Sequence, residues 1–197
     1  MTDATVSHGV NGDGGGLRAG GDGWSRGQRR LHWWTAALVA GGFVLAWVMV
    51  AVPLRDLLTK FLLYQLHKTI GLTVLVLLAW RWGLRARRGR PAPEAAMPPG
   101  ERRAAALGQA ALYTMLLVVP VLGYLTACAA PGGIPTLFLA VIPIPSVVGP
   151  DPAWYAVLRP VHRWAAVALV VLAAGHALAA WRHHRRGRAV LLRMWRG

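Results

Sequence analysis

The sequence predicts an all-α fold, a membrane-spanning four-helix bundle. Three observations carry this expectation. Four apolar stretches are each long enough to cross a bilayer, only 15% of the residues are charged against 55% apolar, and the basic residues gather between the stretches. A formal charge of +15 suits nucleic acid in principle. Arginines clustered between long apolar runs follow membrane topology instead, so a lipid bilayer is the expected partner and nucleic acid is not.

Residues 1–25 contain NGDGGGLRAGGDG, are rich in glycine and lack apolar periodicity, which predicts a disordered cytoplasmic tail. A transmembrane domain is expected over residues 26–186. Its first span is the run of 22 residues from Leu31 to Val52, free of Asp, Glu, Lys and Arg and closed by Pro53. The run is too long for a signal-peptide core. A second span covers about Leu58 to Trp80, with His67 and Lys68 inside it near one end, and a third about Ala104 to Thr126, with Pro120 as an expected kink. Between Ala129 and Leu158 the chain is rich in proline, and GIPTLFLAVIPIP is too short of apolar residues to span. That segment reads as an outer loop lying partly in the interface, or equally as an ordinary long connection. The fourth span runs from about Val161 to Trp181, and residues 187–197 are expected to be a basic cytoplasmic tail. No internal repeat is visible.

Orientation follows from where Lys and Arg fall. Seventeen of the 22 lie in the N-terminal tail, between Arg81 and Arg103, and after Trp181, whereas Arg55, Lys60, Lys68, Arg159 and Arg163 fall on the other side. Both termini of this multi-pass protein are therefore expected in the cytoplasm. Trp33, Trp34, Trp80, Trp82 and Trp181 then mark the inner interface, and Trp47, Trp154 and Trp164 the outer one.

His162 and His176 stand fourteen residues apart in PVHRWAAVALVVLAAGHALAAW. Fourteen residues is nearly four helical turns, so both rings leave one face of one helix, roughly 21 Å apart along its axis. Imidazole is costly in hydrocarbon without a partner, and its neutral nitrogen is a ready ligand for iron. Depth in four alternating spans sorts four histidines into an outer pair, His67 with His162, and an inner pair, His32 with His176. Each pair comes from two helices, as a porphyrin held in a bundle core requires. Ala36, Gly71, Ala166 and Ala180 stand four residues after these histidines, so each neighbouring position is small. Cys128 is the sole cysteine, which excludes an intramolecular disulfide and a CxxCH attachment site. The expectation is thus two haem b, held without covalent bonds and with the four histidines as axial ligands. Lys68 and Arg163, each next to an outer histidine, are expected to offset haem propionates. A single histidine near a helix end is ordinarily an interfacial or hydrogen-bonded residue; the depth-matched set of four is what points to iron. His183 and His184 in WRHHRR read either as solvated residues of a basic tail or as a route for protons to a quinone.

The chain resembles the prokaryotic cytochrome b561 family of four-helix, di-haem membrane proteins. The resemblance lies in LHWWTA, LHKTIGLTVLVLLAWR, LYTMLLVVPVLGYL and HRWAAVALVVLAAGHALAAWRHHRRGRAVLLRMW, and covers Gln28 to the C-terminus. The family's ligand pattern carries over to His32, His67, His162 and His176. Two departures stand out. Gln109 occupies LGQAALY where members often have a histidine, and the outer loop is unusually apolar. What the resemblance implies is electron transfer across the membrane between a quinone pool and a second redox partner. Some members are similar to superoxide oxidases, oxidoreductases that pass an electron from superoxide to ubiquinone. Five outer cations against Asp56 and Asp151 would steer such an anion, though basic residues also snorkel at interfaces. The alternative is a cytochrome b subunit that only conducts electrons, docked to a dehydrogenase, hydrogenase or periplasmic carrier redox protein. A histidine-lined metal transporter predicts carboxylates along a path, and the four spans contain no Asp or Glu.

Overall fold

Ser25 opens α1 (Arg26–Ala51) with a reciprocal cap in this computed structural model, which describes residues 24–89, 97–188 and 190–195. The Ser25 hydroxyl accepts from the Gln28 amide at 3.3 Å, and the Ser25 amide donates to the Gln28 side chain at 3.1 Å. Residues 1–23 of the expected tail lie outside the described residues. Pro53 ends the helix, and Lys60 donates to the carbonyls of Met49 (3.3 Å) and Val52 (2.6 Å) that no further turn would satisfy. A short 3-10 turn leads into α2 (Leu57–Arg88), which stops where Gly89 takes φ 71. The third helix, α3 (Pro99–Ala129), begins on a proline and continues through Pro120. Then come α4 (Pro152–Arg185) and a short α5 (Val190–Trp195).

Four of these helices are long and apolar enough to cross a membrane. They outrun the apolar stretches at their polar ends; α2, for instance, continues from Trp80 to Arg88. Among the described residues, an apolar layer at the centre of the bundle joins Val74 and Leu78 from α2, Leu116 and Val119 from α3, and Leu169 from α4, with Leu38 and Val39 of α1 against it. Leu169 lies seven residues from both His162 and His176, so this layer sits midway between the two histidine levels. Helix contact is most extensive between α3 and α4 and between α1 and α2, whereas α4 touches α1 only lightly and α2 hardly at all.

The long connection differs from its expected extent. Helix α4 begins at Pro152, so the segment up to Leu158 is helical and not loop. Asp151 explains the early start, because its carboxylate accepts from the amides of Ala153 (2.9 Å) and Trp154 (3.0 Å) while Pro152 takes the first helical position. The Asp151 amide also donates to Ala129 at 3.0 Å, drawing the two ends of the connection together. Within it, β1 (Thr136–Phe138) and β2 (Ile142–Ile144) pair antiparallel with Thr136 opposite Ile144. Leu139 (φ 54) and Ala140 (φ 60) lie in the three-residue turn between Phe138 and Ile142 with left-handed backbone, at a cost of about 1–2 kcal/mol for each residue bearing a Cβ.

Helix α2 holds this hairpin in place. Gln65, only 1% exposed, donates to the Pro135 carbonyl at 2.9 Å and accepts from the Leu137 amide at 3.0 Å. Buried Thr69 accepts from the Leu139 amide at 2.9 Å. These anchors flank His67 by two residues on either side, so the hairpin and the histidine share one stretch of helix. Gln65→Leu removes both side-chain hydrogen bonds to the hairpin backbone, each worth about 0.5–1.5 kcal/mol. The variant should melt at a lower temperature and be cut faster by protease around residues 139–141; unchanged cleavage would refute the anchoring role.

Candidate functional site

His67 on α2 and His162 on α4 face each other with ring centroids 6.3 Å apart and planes at 78°. Each ring is oriented by a backbone carbonyl. His67 Nδ1 lies 3.1 Å from the Gly42 carbonyl and His162 Nδ1 lies 3.0 Å from that of Val119. A carbonyl only accepts, so Nδ1 carries the proton in both rings and Nε2 keeps its lone pair for a ligand bond. Gly123 on α3 makes room for this arrangement. A Cβ there would stand 2.8 Å from His162 Cε1 and 3.3 Å from Nδ1. Helix α3 therefore contributes no histidine, yet it positions one.

At the other level, His32 on α1 faces His176 on α4, again with centroids 6.3 Å apart, planes at 67°. The structure thus brings together the same pairs that depth predicts. Trp33 packs edge-on against His32 at 5.3 Å. Arg81 acts electrostatically on both His32 and His176, and its guanidinium sits 5.1 Å from the Tyr113 ring centroid beside that of Arg85 at 5.3 Å. Arg81 is a site residue that charge patterning alone groups with the loop cations. A signal for it is present, since Arg81 follows His67 by fourteen residues on one helix, the same spacing that relates His162 to His176.

The geometry of both pairs fits an iron held between them. Two imidazole nitrogens at about 2 Å from a metal, with each ring centre about 1 Å behind its nitrogen, place the centres about 6 Å apart. A plain aromatic contact also allows this distance. The repeat of one spacing in two pairs, each contributed by two different helices, favours the ligand role. Among the described residues, no cluster of three or more His, Cys, Asp or Glu is placed to hold a metal ion. Each site therefore offers two nitrogens, the number that an iron already held by a porphyrin accepts.

Lys68 and Arg163 both lie at the His67–His162 level. Lys68 Nζ is 3.4 Å from the Pro135 carbonyl, and the Arg163 guanidinium is 6.0 Å from the Trp47 ring. The basic C-terminal segment is more organised than a solvated tail. Arg188 hydrogen bonds to Glu101 of α3, His183 Nδ1 is 2.9 Å from an Arg188 nitrogen and 3.8 Å from Glu101, and Arg186 is 3.7 Å from the same carboxylate. An isolated surface pair contributes little, but here several basic groups converge on one carboxylate. Glu101→Gln should speed proteolysis after residue 185 and leave haem content unchanged; a cleavage rate equal to wild type would show that the carboxylate does not hold the segment.

A bundle of membrane helices that brings histidines from different helices into facing pairs, with no cysteine motif to attach a porphyrin, defines a membrane b-type cytochrome. A family profile described as prokaryotic cytochrome b561 matches residues 23–197. The chain is also 31% identical over 154 residues to Cytochrome b561 homolog 2 of Escherichia coli (strain K12), a match covering 78% of this chain and 80% of that one. The chain belongs to the prokaryotic cytochrome b561 family, which makes it a multi-pass, haem b-binding protein of electron transfer.

Proposed function

We propose that this protein is a di-haem cytochrome of the bacterial inner membrane that moves electrons between a quinone pool and a second redox partner. His32 with His176 holds one haem b and His67 with His162 the other. The observation that carries this reading is the 6.3 Å spacing repeated in two pairs on one helix face. Haem supplies one-electron redox chemistry when bound. The chain supplies the rest. The Gly42 and Val119 carbonyls fix the tautomers of His67 and His162, the layer around Leu169 keeps water out between the two levels, and Arg81, Lys68 and Arg163 provide cations for propionates. A haem held by both histidines of a pair would offer no open metal site to a substrate. With both termini in the cytoplasm, as the Lys and Arg distribution favours, the His67–His162 level is the periplasmic one.

The proposed donor on that side is superoxide, steered by Arg55, Lys60, Lys68, Arg159 and Arg163. Superoxide generated beside the purified oxidised protein should reduce its haem within the mixing time, and ubiquinone should reoxidise it. The second reading, an electron-conducting subunit, is favoured by the apolar hairpin, whose Leu139, Val141 and Ile142 are all exposed. Slow reduction by superoxide together with rapid exchange with quinol would select the subunit.

A further inference from the structure

A cleft of about 630 Å³ opens between the first turns of α1 and the short α5, lined by Arg26, Arg29, Arg30, Trp33, Trp34 and Trp195 among others. We propose that it binds the headgroup of an anionic phospholipid. Three arginines share one face of α1, and no acidic residue among the described ones lines the cleft. Among the described residues, no carboxylate is found in an ion pair with these three. The Arg29 Nε is buried with no hydrogen-bond partner among the described residues, although another nitrogen of the same guanidinium donates to the Trp195 carbonyl at 3.1 Å. A buried, unpaired guanidinium N–H demands an acceptor, and a phosphate oxygen is the acceptor that its fork suits best.

The walls are built for the membrane boundary. Trp33 donates to the Met194 carbonyl at 3.2 Å and packs edge-on against Trp195 at 5.3 Å, which satisfies one of the last carbonyls of α5 and holds it along α1. Trp34 and Trp195 remain exposed, as ring systems at the headgroup level do. The same face of α1 continues through Ala37, Gly41 and exposed Val44, with open space over Gly41, so an apolar track leads away from the arginines. A free phosphate would use only the arginines; a phospholipid uses both parts. His32 points from α1 more than a third of a turn away from the centre of this face, so the cleft opens on another side of α1 than the histidine, with Trp33 between the two.

The test uses the full-length, haem-loaded protein in detergent and titrates phosphatidylglycerol or phosphatidylcholine, read by native mass spectrometry and by the thermal midpoint. Phosphatidylglycerol should be retained at least about tenfold better than phosphatidylcholine and should raise the midpoint. Arg26→Gln/Arg29→Gln/Arg30→Gln should abolish that preference with an unchanged haem spectrum. If the triple variant does not assemble, Arg30→Gln alone, at an exposed position, should lower retention about fivefold. Equal retention of the two lipids, or a preference that survives these substitutions, overturns the proposal. So does an equal midpoint rise with inorganic phosphate, which would assign the cleft to a free anion.

Discussion

His176→Ala should purify with one haem per chain instead of two, and the haem it keeps should be the one held by His67 and His162. The two pairs are independent by construction. No side chain belongs to both pairs, and the apolar layer of Val74, Leu78, Leu116 and Leu169 lies between them. Sites that far apart with no shared partner behave additively. His162→Ala should give the reciprocal species, with a different midpoint potential in a redox titration. The double variant should bind none. Loss of the His67–His162 haem from His176→Ala would show that depth and ring geometry had paired the wrong residues.

Gly123→Ala should deplete the haem of the His67–His162 level although it changes no ligand. Glycine to alanine within a helix ordinarily stabilises by about 1 kcal/mol. At Gly123 the added carbon would stand 2.8 Å from His162 Cε1, so the ring must move and its hydrogen bond to Val119 must break. The steric effect should therefore outweigh the propensity gain, with haem content falling towards one per chain and the His32–His176 haem retained. Gly108→Ala is the control, because its Cβ would meet nothing within 4 Å. Full haem content and an unshifted spectrum in the Gly123→Ala variant would remove α3 from the positioning of His162.

Much of this architecture is legible in the sequence because the membrane imposes coarse rules. Spans must be apolar over their whole length, and imidazoles inside them must find partners at their own depth, so His32, His67, His162 and His176 can be sorted without coordinates. Arg81 is legible by the same fourteen-residue rule. The hairpin is not. Its turn uses Leu139 and Ala140 where left-handed backbone favours Gly or Asn, and it is held by Gln65 and Thr69, which contact it across about seventy residues of sequence. Gly123 is invisible for a related reason. Glycines are frequent in membrane helices, and only the approach of the His162 ring distinguishes this one. The early start of α4 rests on an Asp-Pro cap, a local signal outweighed by the proline-rich stretch before it.

The most direct test of the di-haem reading is a pyridine haemochrome assay with protein quantification on the detergent-purified, full-length chain. Two haem b per chain is the predicted result. One would mean that one of the two histidine pairs is not a ligand set, and none, from haem-replete cells, would contradict the cytochrome reading altogether.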